Sequence, residues 1–222
     1  MKSAFKSNFL ILILSFFAFT TFAEPLNSSL LKKEIRQYHD SGAYEKELTK
    51  QIIQAQEFLL QQVQYYKAHQ SNKKLALVLD IDETSISNYN KIAERDFAAN
   101  LSQIHQEILA ANSPAIKPTL ALYQTALDNG VEVFFVTGRF NSELTATKKN
   151  LLNAGYKNWT EIYVRPDEYK KHSIISFKAN SRKNIEDKGY IVVASIGDQY
   201  SDIKGGYALK GFKLPNPFYY IP

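Results

Sequence analysis

Leu75-Ala76-Leu77-Val78-Leu79-Asp80-Ile81-Asp82-Glu83-Thr84 sets five apolar residues in a row and follows them at once with two carboxylates two positions apart. An unbroken apolar run of strand length is the pattern of a strand covered on both faces, as in a parallel sheet between helices. The signature returns at Val131-Glu132-Val133-Phe134-Phe135-Val136, more weakly at Glu161-Ile162-Tyr163-Val164, and again at Ile191-Val192-Val193-Ala194-Ser195-Ile196. Helical patterns lie between these runs, around 119–128, 141–154 and 173–188. Buried strands alternating with helices predict an α/β fold with a doubly wound parallel sheet.

Upstream, residues 27–70 are rich in Lys, Glu, Gln and Leu, with one glycine, Gly42. Ile52, Phe58, Leu59 and Val63 fall on a helical stripe, which predicts a short helix, a break at Ser41-Gly42, and a long helix from about Tyr44 to His69. Lys2 and Lys6 precede an apolar run from Phe9 to Phe19 that leads to Thr21-Phe22-Ala23 and Glu24. That order reads as a signal peptide over 1–23 with cleavage after Ala23; the run falls short of the ~20 residues that span a bilayer. The expectation is an exported protein, periplasmic or secreted, with residues 24–222 as one domain and no stable membrane anchor after cleavage. Cysteine is absent, so no disulfide and no acylated N-terminal Cys can form. The net charge is +5, two units of it on the leader lysines, and no dense Lys/Arg run suggests a nucleic-acid partner.

Ligand sites in such sheets gather beyond the carboxyl ends of the strands. The polar residues there are Asp80-Ile81-Asp82, Thr137-Gly138-Arg139 and Gly197-Asp198. In extended chain, residues two apart point the same way, so Asp80 and Asp82 would share either a proton or a cation. A sparse set of Asp with no Cys or His suits a hard ion such as Mg²⁺, with Asp198 as third member and Asp202 binding directly or through water. Phosphoryl transfer needs an in-line nucleophile and neutralised equatorial oxygens. Thr137 offers a hydroxyl, Gly138 close backbone approach, Lys178 a cation, and Arg182 a second one a helical turn later. Asp80 would attack; Asp82 would protonate the leaving oxygen and then activate water. Singly, these residues also read as a turn, a strand end and a solvated helix face. Their order along the chain is what favours a site.

Asp80-Ile81-Asp82-Glu83-Thr84, Thr137-Gly138-Arg139, Lys178 and Gly197-Asp198-Gln199-Tyr200-Ser201-Asp202 resemble the four motifs of the haloacid dehalogenase superfamily. Ser85-Ile86-Ser87-Asn88-Tyr89, Phe177-Lys178, Arg182, Gly189-Tyr190 and the tail Phe212–Tyr220 narrow the likeness to class B/C-type acid phosphatases and plant vegetative storage proteins. The resemblance implies a Rossmann-like core with N-terminal helices and a small helical cap inserted at about 86–116. It also implies an aspartyl-phosphate intermediate, a small phosphomonoester substrate, and Mg²⁺ held by Asp80, the backbone carbonyl of Asp82, and Asp198.

The rival reading is a catalytically weak or inactive storage or binding protein on the same fold, for which loss of the nucleophile would be the signature. A dehalogenase would not need Asp82 as proton donor. The absence of cysteine excludes a cysteine nucleophile, the four histidines (His39, His69, His105, His172) lie outside the strand-end motifs, and no Gly-x-x-x-x-Gly-Lys loop suggests an ATPase or kinase. Tyr89, Phe97 and Tyr200 are candidates to stack on an aromatic leaving group, with core packing the alternative. Sequons starting at Asn27, Asn100 and Asn158 matter only in a eukaryotic secretory route.

Overall fold

The computed structural model describes residues 24–221; the leader reading over 1–23 lies outside them. The first two elements are α1 (Ser28–Asp40) and α2 (Ala43–Ala68). The Asn27 side chain caps α1 by accepting from the backbone N–H groups of Ser29 and Leu30. Between the helices Gly42 takes φ of +81°, a left-handed turn that glycine adopts without strain.

The sheet strands are β1 (Lys74–Leu79), β2 (Glu132–Phe140), β3 (Glu161–Arg165), β4 (Tyr190–Gly197) and β5 (Lys210–Lys213). All pairings are parallel, in the order β3-β2-β1-β4-β5. The central strand is thus the one carrying Asp80 at its end. Leu79 pairs with Phe135 on one side and Ile196 on the other. Between strands run α3 (Tyr89–Glu94), α4 (Leu101–Leu109), α5 (Lys117–Asp128), α6 (Leu144–Asn153) and α7 (Ile175–Asp187).

The unbroken apolar runs are explained by two hydrophobic layers. Leu75, Leu77 and Leu79 of β1 pack with Val133 and Phe135 of β2 against the face that also holds Leu48, Ile52 and Leu59 of α2 and Leu122 of α5. Ala76, Val78, Phe134, Val136 and Val192 face the opposite way, with Ile185 of α7. Alternate residues serve alternate faces, and both faces are buried. The fold is therefore the expected α/β doubly wound parallel sheet.

Two details, in β5 and β2, depart from expectation. The edge strand β5 was not anticipated; it is four residues long and includes Gly211. Strand β2 continues through Thr137-Gly138-Arg139 to Phe140, so the motif lies in the strand's last turn of pleat rather than after it. The segment 86–116 contains two short helices, α3 and α4, and its ends are tied by an antiparallel bridge between Ile86 and Ala115. Among the described residues, no helix is long and apolar enough to cross a membrane.

Candidate active site

The sheet order reverses at β1: β2 and β3 extend to one side, β4 and β5 to the other. A crevice forms beyond the carboxyl ends at such a switch point, and Asp80 and Asp198 follow the two strands that flank it. The Asp80 N–H donates to the Ile196 carbonyl at 2.9 Å, extending the ladder by one bond and fixing where its side chain emerges. The Ser85 hydroxyl donates to the Asp80 carbonyl at 2.6 Å.

Carboxylate oxygens of Asp80, Asp198 and Asp202 lie within 4.8 Å of one another, all three residues buried. Lys178, from α7, places its ammonium between two of them, 2.7 Å from Asp80 Oδ1 and in direct contact with Asp202 Oδ1. Three acidic groups around one cation leave excess negative charge in a water-poor place. Burial first, opposed by Lys178 and reinforced by Asp202, Asp198 and Asp82, holds the Asp80 carboxyl well above its ordinary range. Burial and then Asp202 push Asp198 the same way. Lys178 shifts upward: burial would lower it, but the charges of Asp202 and Asp80 outweigh that. An all-oxygen donor set with surplus negative charge fits a hard divalent cation.

Asp202 reaches the cluster because of the glycine that opens its motif. A Cβ on Gly197 would stand 2.1 Å from the Asp202 carboxyl group, so no other residue fits without displacing it. The Asp202 carboxylate also accepts from the Gln199 N–H at 2.8 Å, and its carbonyl accepts from Ser195 Oγ at 2.7 Å.

Asp82 stands apart from this cluster. The sequence reading had its carboxylate beside that of Asp80, sharing either a proton or a cation; instead it meets Arg139, whose Nε lies 2.9 Å from Oδ2 and whose Nη2 lies 2.7 Å from Oδ1. Asn88 Nδ2 donates to Oδ1 as well, at 2.8 Å. The physical reason is a tight turn directly after Asp80: the N–H groups of Ser85 and Ile86 both bond the Ile81 carbonyl, and Glu83 sits at φ of +53°. The extended alternation that would aim both side chains together therefore does not apply. Burial works to raise the Asp82 carboxyl, but the charge and hydrogen bonds of Arg139, aided by Asn88, hold it below its ordinary value.

Thr137 is buried, and its Oγ1 accepts from the Arg139 N–H at 3.1 Å, which leaves its own proton to donate. At Gly138 a Cβ would lie 3.2 Å from Ile174 Cδ1, a tight fit. Arg182 requires a correction. It was expected beside Lys178 as a second phosphate cation, but its guanidinium is spent on main-chain carbonyls. Nε donates to Gly206 at 2.8 Å, Nη1 to Asp202 at 2.7 Å, and Nη2 to Lys204. It braces the loop that carries Asp202.

Tyr89 is likewise occupied: it is buried, stacked against His39, and donates to Asp40 at 3.0 Å. Phe97 packs under the Arg36 guanidinium. Tyr200, 54% exposed, is the one of the three suggested aromatics that presents a large free surface.

Several residues of the site had no role in the sequence reading. Arg139 was quoted only as part of a motif. Thr84 Oγ1 donates to Asp198 Oδ1 at 3.1 Å, and Gln199 Nε2 to Asp198 Oδ2 at 2.7 Å. Glu83 accepts from the Asn88 N–H at 2.6 Å and from the Tyr219 hydroxyl at 2.9 Å. Burial, then the charges of Asp82 and Asp198, push Glu83 up to about 8.

Residues 20–222 match the family described as HAD superfamily, subfamily IIIB (Acid phosphatase). The chain belongs to this family. This HAD chain is 31% identical over 148 residues to Acid phosphatase 1 of Solanum lycopersicum, covering 65% of its own length and 58% of that protein's. It is 30% identical over 188 residues to the Stem 28 kDa glycoprotein of Glycine max, covering 79% of the chain and 74% of that protein. Vegetative storage protein 2 of Arabidopsis thaliana is 29% identical over 149 residues, covering 65% of the chain and 56% of that protein. Among solved structures, the class C acid phosphatase from Bacillus anthracis superposes with a TM-score of 0.69 at 21% identity over 86% of each chain, which establishes the shared fold. The likeness to class B/C-type acid phosphatases and vegetative storage proteins seen in the motifs is thus met in sequence by the family match and the storage-protein relatives, and in fold by the class C structure.

Proposed function

We propose that this HAD subfamily IIIB chain is a Mg²⁺-dependent acid phosphatase that hydrolyses small phosphomonoesters through an aspartyl-phosphate on Asp80. The observation that carries the reading is the Asp80–Lys178–Asp202–Asp198 constellation at the carboxyl ends of β1 and β4. Asp80, Asp198 and the Asp82 carbonyl would hold the cation, with Asp202 binding directly or through water. When bound, the cation offsets charge on the phosphoryl oxygens and favours the ionised form of Asp80.

The Asp80 carboxylate attacks phosphorus in line, and the bond to the leaving oxygen breaks as Asp82 gives that oxygen a proton. Thr137, the backbone at Gly138, and Lys178 hold the transferred group. Asp82, now ionised, takes a proton from water; that water attacks phosphorus, releasing inorganic phosphate and the Asp80 carboxylate. Arg139 has a defined part in this cycle. Its bidentate grip aims Asp82 and favours its ionised form, which suits the second step and handicaps the first. Low pH supplies the proton that the first step needs, so turnover should climb as pH falls from neutral into the acid range.

The storage-protein reading draws on relatives of that kind, but it gives no reason for an intact Asp80 and Asp82 held by Lys178 and Arg139. The two-helix segment 86–116 serves as the cap in this proposal, and export with cleavage after Ala23 gives a periplasmic or secreted enzyme.

The test is a panel of phosphomonoesters, including an aryl phosphate, assayed in acid with Mg²⁺ and again in EDTA. Hydrolysis that chelation abolishes is expected; undiminished turnover in EDTA would remove the metal, and no turnover under any condition would favour storage. Asp82→Asn should lower kcat by about 10²–10⁴, the usual cost of losing a general acid. The loss should be larger for poor leaving groups than for good ones. Equal losses across a leaving-group series would take the acid role from Asp82.

A further inference from the structure

The last described residues of the chain return to the site. Asn216 Nδ2 donates to Asp198 Oδ2 at 2.6 Å, joining Gln199 Nε2 on the same oxygen at 2.7 Å. Among the described residues, Asp198 Oδ1 receives one donor, Thr84 Oγ1 at 3.1 Å. An ionised carboxylate has about four lone-pair positions. Two amides therefore fill Oδ2, and the remaining free lone pair lies on Oδ1.

The donors are also chemically distinct from those at Asp80 and Asp202. Those two carboxylates face an ammonium, whereas the hydrogen bonds of Asp198 among the described residues come from neutral groups only. A neutral amide steadies and orients a carboxylate without cancelling the charge that a cation needs. Such partners behind a metal-binding carboxylate govern its orientation and its affinity.

The amide is itself oriented. Asn216 Oδ1 accepts from the Phe218 N–H at 2.8 Å, so Nδ2 is the end that faces Asp198. Phe218 is buried beside Tyr44 and Tyr89, with ring centroids 5.0 and 5.2 Å away. Further along, the Tyr219 hydroxyl reaches Glu83, and the Ile221 N–H donates to Gln199 Oε1 at 3.2 Å. The tail is tied at several points to both sides of the cluster.

We propose that Asn216 is a positioning residue for the divalent cation, and that the segment 216–221 is a clasp fixing the Asp198 carboxylate so that Oδ1 is its binding atom. The inference rests on the reading of Asp198 as a cation ligand. Asn216→Ser separates the two bonds of the side chain: a serine hydroxyl can still cap the Phe218 N–H from two residues back but is too short to reach Asp198.

Mg²⁺ is titrated by calorimetry into the wild-type mature chain and into N216S, after a thermal melt of each, and the Mg²⁺ dependence of aryl phosphate hydrolysis is measured alongside. The expected result is a Kd for Mg²⁺ raised about tenfold or more in N216S. The Mg²⁺ needed for half-maximal rate should rise in step, with kcat recovering at saturating Mg²⁺. Unchanged affinity in N216S beside a wild type that binds overturns the inference alone, as does a kcat loss that excess Mg²⁺ does not repair. A wild type that binds no Mg²⁺ overturns the metal reading first. Asn216→Ala is the second variant. If neither folds, Asn216 serves the fold rather than the cation and the inference fails.

Discussion

Asp80→Asn should yield a folded protein whose turnover of an aryl phosphate is lower by about 10⁴-fold or more, as for other enzymes stripped of their nucleophile. An amide cannot form the acyl-phosphate, and no second carboxylate stands ready in its place: Asp198 is bound by three neutral donors, and Asp82 is held by Arg139. Folding should survive because the replacement is isosteric and Lys178 keeps Asp202 as its anionic partner. The variant has one charge fewer in a cluster that holds Asp80 well above the ordinary carboxylate range, so its melting temperature should match or exceed that of wild type. Initial rates and thermal melts check both halves of the expectation. Wild-type rates in D80N would remove Asp80 as the nucleophile.

Lys178→Met should have the largest effect on stability. The ammonium is hydrogen-bonded to both Asp80 and Asp202, and all three side chains are buried. Removing one partner from a buried ion pair costs about 3–5 kcal/mol, because the charge left behind has nothing to offset it. For a domain of this size that corresponds to a fall of about 10 °C in Tm. The pH dependence has a definite sign. Asp80 and Asp198 already stand above their ordinary range against the pull of Lys178, and losing the ammonium raises them further, so the added penalty is full at high pH and fades as pH falls through the raised values. Mg²⁺, on the proposed reading a ligand of the folded cluster and not of the unfolded chain, should also return part of the loss. Melts across pH, with and without Mg²⁺, test this. A K178M protein as stable as wild type at neutral pH would mean that Lys178 is not the charge holding the cluster together.

The core of the sheet was legible because β1, β2 and β4 are buried on both faces and so lose the polar alternation that would obscure them. β5 gave no such signal: four residues, two of them lysines and one a glycine, pair only at the sheet edge. Asp80, Thr137, Lys178, Asp198 and Asp202 could be named because each sits at a strand end or on the helix facing those ends. Asp82 could be named but not aimed, since the turn around Ile81 and the positive φ of Glu83 are set by backbone bonds that no alternation rule anticipates. Arg182 shows the converse limit. Helical spacing put it correctly on the face of Lys178, but nothing in that spacing reveals a loop of carbonyls at 202–206 waiting for a guanidinium. Arg139 and Asn216 do their work on partners 57 and 18 residues away, and contacts of that kind belong to the tertiary fold.

The central place of β1 bears on how the molecule comes into being. Its neighbours, β2 and β4, arrive from well down the chain, and the pairing of Leu79 with Ile196 must close a long loop before it returns any binding energy. Sheets built from such distant partners assemble slowly. Asp80 and Asp198 follow strands that are distant in the chain, so the crowding of their charges arises only where β1 and β4 have paired. If that pairing forms after the rate-limiting step, an ion that relieves the crowding lengthens the life of the native state by retarding its opening and leaves the speed of folding unchanged.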